Sequence, residues 1–199
     1  MKICNLEPKG LNSDVTFMLH MEQILYNIVL NLLKSDNHLR QIAKELNSNH
    51  MTVKRALDVL VKENVLDVSV HGKNNVFSIK KTLEARNFVL MAEIYKLNLL
   101  ISRHPSLKQD LLLLKKLDAG IIAVFGSYAK GIENSRSDID VYIDTLSLKV
   151  KKQAEKINPK FSVKIGAYDK DSLLIKEIEQ NHVIVKGVEK FYEKNKFFG

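Results

Sequence analysis

Residues 120–125, and the way that run is interrupted, constrain this chain of 199 residues more than any other feature. The run has the length and branching of a buried strand, and Gly126 and Ser127 break it. A small residue and a hydroxyl at that point suit a tight turn onto a helix start, where free backbone N–H groups can hold a phosphate. Eleven residues past Ser127 comes Asp138, then Asp140. A strand over residues 137–144 puts both carboxylates on one face and Ile139, Val141 and Ile143 on the other. Two carboxylates on an open face attract a divalent cation, and Mg²⁺ binds through one or two of them plus the phosphates of a substrate. That is the layout of phosphoryl-transfer chemistry. Taken singly, a Gly-Ser is most often a turn and an Asp-x-Asp a solvated strand edge. Their order after a buried strand carries the reading.

The whole stretch, FGSYAKGIENSRSDID over residues 125–140, closely resembles the signature of the DNA polymerase beta-like nucleotidyltransferase superfamily, in particular its minimal members, and the likeness covers residues 106–199. The resemblance implies transfer of a nucleoside monophosphate from an NTP, expected to be ATP, to a hydroxyl of a protein or nucleic acid. It implies that Asp138 and Asp140 are the catalytic pair that holds Mg²⁺ or Mn²⁺. Gly126 and Ser127 would contact the triphosphate, with Lys130, Ser137 and Lys164 as further nucleotide contacts. Active members of the superfamily usually carry a third carboxylate on a later strand. The strand expected here, residues 161–166, offers Ser162 and Lys164 on its site-facing side. A lysine can meet phosphate as a point charge, but it cannot ligate Mg²⁺ while protonated. Asp169 and Asp171 read as turn and helix-cap residues.

The first part of the chain has a different pattern. Leu19, Ile24, Leu25, Ile28, Leu32 and Leu33 recur at helical spacing from Asp14 onward, after an arm over residues 1–13. A second helix is expected over residues 38–46, a turn at Asn47, Ser48 and Asn49, and a third helix over residues 52–63. Residues 65–70 and 75–80 alternate as two strands around His71, Gly72, Lys73 and Asn74, which suit a hairpin turn. Three helices and a hairpin, with IAKELNSNHMTVKRALDVLVKENVLDV in the middle, resemble a winged helix-turn-helix domain over residues 14–80. The resemblance implies that Asn49, His50, Thr52, Lys54 and Arg55 face duplex DNA, and that His71, Lys73 and Asn74 lie on the wing. Winged helices also serve as protein-binding and dimerisation modules, which is the other reading of this unit.

A long helix over residues 82–103, ended by Pro105, joins the two parts and would fix their orientation or form a dimer contact. Four adjacent leucines, Leu111 to Leu114, predict a largely buried helix after it. Residues 148–157 read as a lysine-rich helix with a solvated face. The expected fold class is therefore α+β: a winged helix-turn-helix unit (residues 1–80), a linking helix (81–105) and a nucleotidyltransferase α/β domain with a mixed sheet (106–199).

The net charge of +8 permits a polyanionic partner. Residues 1–80 carry 10 basic and 8 acidic side chains, so +6 of that charge sits on residues 81–199, from 21 basic and 15 acidic. With Cys4 the single cysteine, an intramolecular disulfide and a cysteine-based metal cluster are excluded for this sequence. No apolar run approaches the roughly 20 residues that span a bilayer, and no signal-peptide block opens the chain, so the expected compartment is the cytoplasm and no membrane partner is expected. Two functional readings follow: a nucleotidyltransferase coupled to a DNA-binding winged helix, and a DNA-binding transcriptional regulator whose degenerate nucleotidyltransferase domain senses nucleotide.

Overall fold

The computed structural model describes residues 13–72 and 74–199, with side chains from residue 21 onward. The N-terminal arm before Ser13, including Cys4, lies outside the described residues, as do Lys73 and the side chain of Leu19. The chain divides into two compact units, one ending at Ala92 and the other beginning at Glu93.

In the first unit α1 (Ser13–Leu32) is followed by the two-residue strand β1 (Asn37–His38), then α2 (Leu39–Glu45) and α3 (His50–Lys62). The turn before α3 needs a left-handed residue, and Asn47 supplies it with φ +47°. Asn49 then caps α3, its side-chain oxygen accepting from the Met51 N–H at 2.7 Å. Val53, Ala56, Leu57 and Leu60 recur at helical spacing and are buried, so one face of α3 packs inward and the other is left to solvent. The hairpin of β2 (Leu66–His71) and β3 (Asn74–Ile79) closes at the pair His71 and Asn74, with Gly72 at φ +63° in its two-residue turn. Beyond Leu66, β2 is exposed along its length, as a wing is. β1 pairs antiparallel with β3, giving the sheet order β1-β3-β2. A two-residue strand is too short to carry a period that residue order could signal. Three helices and this winged sheet make a winged helix-turn-helix fold. Helix α4 (Leu83–Arg103) starts in this unit, where the Thr82 hydroxyl accepts from the Ala85 N–H at 3.2 Å.

In the second unit a 3-10 turn (Pro105–Leu107) and α5 (Lys108–Lys115) lead to β4 (Ile122–Phe125), α6 (Gly126–Lys130), β5 (Ile139–Asp144), α7 (Leu148–Glu155), β6 (Phe161–Gly166), α8 (Leu173–Gln180), β7 (Val183–Lys186) and α9 (Val188–Lys194). The sheet order is β6-β5-β4-β7. β5 and β6 run parallel, joined through α7, while β4 is antiparallel to both of its neighbours, so the sheet is mixed. Ile122, Val124, Ile139, Val141, Ile143 and Val163 share one face, and they pack with Leu100, Leu111, Leu114, Val150 and Ala154 from the helices. One expectation needs correction. Leu112 is 46% exposed, so α5 buries only the face of Leu111 and Leu114 rather than most of its surface. Leu83 is the first residue of α4 and is 70% exposed.

One buried charged group fastens the last turns of α4 to the rest of this unit. Glu93 is fully buried. Its Oε1 accepts from the Tyr192 hydroxyl at 2.8 Å, from Lys96 Nζ at 2.8 Å and from His182 Nε2 at 3.2 Å. Lys96 Nζ also lies 2.8 Å from Oε2, as an ion contact without hydrogen-bond geometry. His182 Nδ1 faces the Ile178 carbonyl at 2.6 Å. Burial alone would raise the Glu93 carboxyl, but Lys96 and His182 outweigh it and hold it at about 2.

Candidate functional site

Register builds the site. Phe125, the last residue of β4, pairs with Asp140 on β5, so the residue that follows it meets the Asp140 carboxylate directly. That residue is Gly126, with φ +65°, and a Cβ placed there would lie 2.3 Å from Asp140 Oδ2. Only glycine fits both the backbone and the space. The turn opens α6, whose Ser127 is half-buried. Asp138 precedes β5 by one residue and is exposed, while Ile139, Val141 and Ile143 point into the core, so the alternation expected from the sequence holds.

Across the other edge of β5, Asp140 pairs with Ser162 of β6, and Tyr142 pairs with Lys164. The Ser162 hydroxyl is therefore on the strand next to the Asp140 carboxylate. Burial is the largest influence on that carboxyl and raises it above the usual carboxylate range, aided by the charges of Asp138 and Glu177, while Ser162 and Lys164 pull it down. A carboxylate crowded by like charge is one that a divalent cation would relieve, so the donor set fits Mg²⁺ or Mn²⁺. Among the described residues no three His, Cys, Asp or Glu side chains converge as a metal site. The two aspartates therefore have no third carboxylate beside them on the sheet.

The other expected nucleotide contacts are arranged less uniformly. Lys130 is exposed at the end of α6, and its Nζ lies 3.2 Å from Glu177 Oε1 on α8. The Ser137 hydroxyl accepts from the Asn134 N–H at 3.0 Å and so belongs to the turn before β5. Lys164 is exposed, two residues along from Ser162 on the same strand face. Asp144, which shares the Asp140 face in sequence, is bound elsewhere: it accepts from Lys194 Nζ at 2.6 Å and from the Tyr168 N–H at 3.1 Å. Asp169 accepts from the Asp171 N–H at 3.0 Å, as a turn residue does. Glu177 was not anticipated. It lies on a helix 37 residues beyond Asp140 in sequence, where no local spacing signals it.

In the first unit His50, Lys54 and Arg55 are exposed and Thr52 is half-buried on α3, and His71 and Asn74 are exposed on the wing. Lys54 makes a 3.8 Å ion pair with Asp58 one turn on. Asn49 is committed to capping α3.

Residues 104–195 match the family model of the nucleotidyltransferase domain. No curated protein matches the chain in sequence. Among solved structures, the homodimeric winged helix-turn-helix DNA-binding domain Mb0332 of Mycobacterium bovis is 17% identical, over 46% of this chain and 94% of that one, with a TM-score of 0.33. Human N-acetylserotonin methyltransferase is 11% identical, over 84% of this chain and 70% of that one, with a TM-score of 0.29. At these scores neither likeness carries an argument. The fold of the first unit rests on its own topology, a winged helix-turn-helix, and the second unit is placed by the matched residues: residues 104–195 match the nucleotidyltransferase domain family.

Proposed function

We propose that the second unit transfers a nucleoside monophosphate from an NTP, with ATP the first to test, to a hydroxyl of a protein or nucleic acid, releasing pyrophosphate. The observation that carries this is the packing of Gly126 against Asp140, which joins the Gly-Ser turn to the Asp-x-Asp strand. In this reading Asp138 and Asp140 hold Mg²⁺ or Mn²⁺, which supplies charge neutralisation at the transferring phosphoryl group. Gly126 and the Ser127 hydroxyl contact the triphosphate. Lys130 and Lys164 act as point charges toward its oxygens, with Glu177 steering Lys130. Ser137 shapes the turn that delivers Asp138.

The winged helix is proposed to bind duplex DNA through the exposed face of α3, with His50, Thr52, Lys54 and Arg55 toward the groove and the hairpin tip against the backbone. Asn49 contributes by fixing the start of that helix.

A second reading is favoured by one observation. Ser162 stands opposite Asp140, where a third carboxylate would complete a two-metal site. A regulator that binds DNA and senses nucleotide without turning it over needs only the first two aspartates. Incubation of the full chain with labelled NTPs and Mg²⁺ or Mn²⁺, alone and with cell extract, separates the readings. Label transferred to a macromolecule and lost in Asp140→Asn supports the enzyme. Metal-dependent binding without transfer supports the sensor, and metal-dependent binding that survives Asp140→Asn overturns the site itself.

A further inference from the structure

The loop that carries the chain from the Gly-Ser turn to Asp138, residues 131–138, is exposed except at Glu133 and Ser137. Ser137 closes a local turn, so Glu133 is the loop's buried attachment, its side chain 11% exposed. Its carboxylate meets the end of α4. His104 Nε2 stands 2.5 Å from Glu133 Oε1, and since a carboxylate accepts, the ring nitrogen donates. Arg103 Nη1 lies 3.8 Å from the same oxygen. The same two residues also reach the other half of the motif. Arg103 Nη2 donates to the Tyr128 carbonyl at 3.4 Å, one residue after Ser127, and the His104 ring lies against that of Tyr128 with centroids 5.0 Å apart. The guanidinium packs on Gly131, where φ is +69° and a Cβ would fall 2.6 Å from Nη1.

We propose that Arg103 and His104 are positioning residues of the nucleotide site, bracing the turn of Gly126 and Ser127 against the loop that carries Asp138. The inference rests on Asp138 and Asp140 being the metal-holding pair. It extends the site beyond the matched domain, because Arg103 precedes residue 104 and belongs to α4. The brace is costly. Arg103 Nε and Glu133 Oε2 are buried with no hydrogen-bond partner among the described residues, and each group left so keeps its desolvation penalty. A contact serving stability alone would be better replaced by apolar side chains. Fixing the approach of Asp138 to the Gly-Ser turn gives the cost a return in metal binding.

The test titrates Mg²⁺ at fixed ATP with the full chain and reads nucleotide binding beside the melting temperature. Removal of groups that orient metal-holding side chains weakens metal affinity about 10- to 100-fold, so Arg103→Ala and Glu133→Gln should each raise the Mg²⁺ midpoint by about that factor. Saturating Mg²⁺ should restore binding, and the double variant should be no worse than the weaker single, because both break one brace. If Arg103→Ala does not fold, Arg103→Lys keeps the charge but loses the fork between Tyr128 and Glu133, and carries the same expectation. Asp140→Asn separates the two ideas. An unchanged midpoint in folded brace variants, with Asp140→Asn inactive, overturns the brace alone, as does a midpoint shift that only tracks lost thermal stability. Full binding by Asp140→Asn overturns the metal pair and the brace with it.

Discussion

Gly126 and Asp140 are in contact across the β4–β5 pair: a methyl group on Gly126 would overlap the Asp140 carboxylate, at 2.3 Å from Oδ2. The backbone at Gly126 is left-handed as well, at φ +65°. Gly126→Ala therefore meets two obstacles, a strained backbone worth about 1–3 kcal/mol and a carboxylate that must move. We expect a modest fall in melting temperature and a near-complete loss of Mg²⁺-dependent ATP binding, measured by calorimetry. Binding equal to that of the native chain would mean that Asp140 is not at the nucleotide.

Much of this was legible from residue order. The break at Gly126 and Ser127, and the alternation of Asp138, Ile139, Asp140 and Val141, are local signals, and local signals survive without knowledge of the fold. What lay beyond them depends on strand register and helix packing. That Asp144 is engaged by Lys194, that Ser162 rather than Lys164 pairs with Asp140, and that Glu177 reaches Lys130 all join residues far apart in the chain. A one-residue slip of β6 would have exchanged its faces, and nothing local in FSVKIG fixes its alignment against β5. The four leucines of α5 misled for a related reason: periodicity says how a helix is striped, and Leu112 shows that only its neighbours decide how many stripes are covered.

The buried Glu93 makes the second unit acid-sensitive. Its carboxyl is held at about 2 against an ordinary 4.5. A depressed carboxyl contributes stability that is fully present above pH 4.5 and is lost as pH falls through about 2. Glu93→Gln keeps the shape but leaves the Lys96 ammonium without its counter-charge, so a loss of about 3–5 kcal/mol is expected at neutral pH. The variant's melting temperature should also vary less than that of the native chain between pH 4.5 and 2. Parallel profiles for the two proteins across that window would contradict the assignment.

On α3 the expected DNA contacts separate into two kinds. Lys54 and Arg55 are exposed and away from the buried stripe, so alanine at both should leave thermal stability unchanged. Affinity for duplex DNA should fall, and the slope of log affinity against log salt should drop by about 1 for each phosphate contact removed. Asn49→Ala acts through the helix instead. Loss of its bond to the Met51 N–H should cost about 1 kcal/mol of stability. If the native chain shows no affinity for any duplex at low salt, the winged unit is a protein interface.

The last expectation concerns Ser162, the residue that pairs with Asp140 from the neighbouring parallel strand. Ser162→Asp introduces a carboxylate at the residue paired with Asp140, so without metal two like charges share one edge of β5. The metal-free protein should become less stable, and the Asp140 carboxyl should move further up. With Mg²⁺ the sign reverses, because three carboxylates hold a divalent cation more tightly than two, and a ligand that binds only the folded state adds stability by mass action. The shift in melting temperature on adding Mg²⁺ should therefore be larger in Ser162→Asp than in the native chain, with a higher rate of label transfer from NTP. Lys164→Asp provides the comparison. It removes a cation that lowers the Asp140 carboxyl, but it pairs with Tyr142 and lies two residues further along β6. Its metal response should rise less. A larger gain at residue 164 than at residue 162 would show that the metal sits further along the strand, beside Lys164.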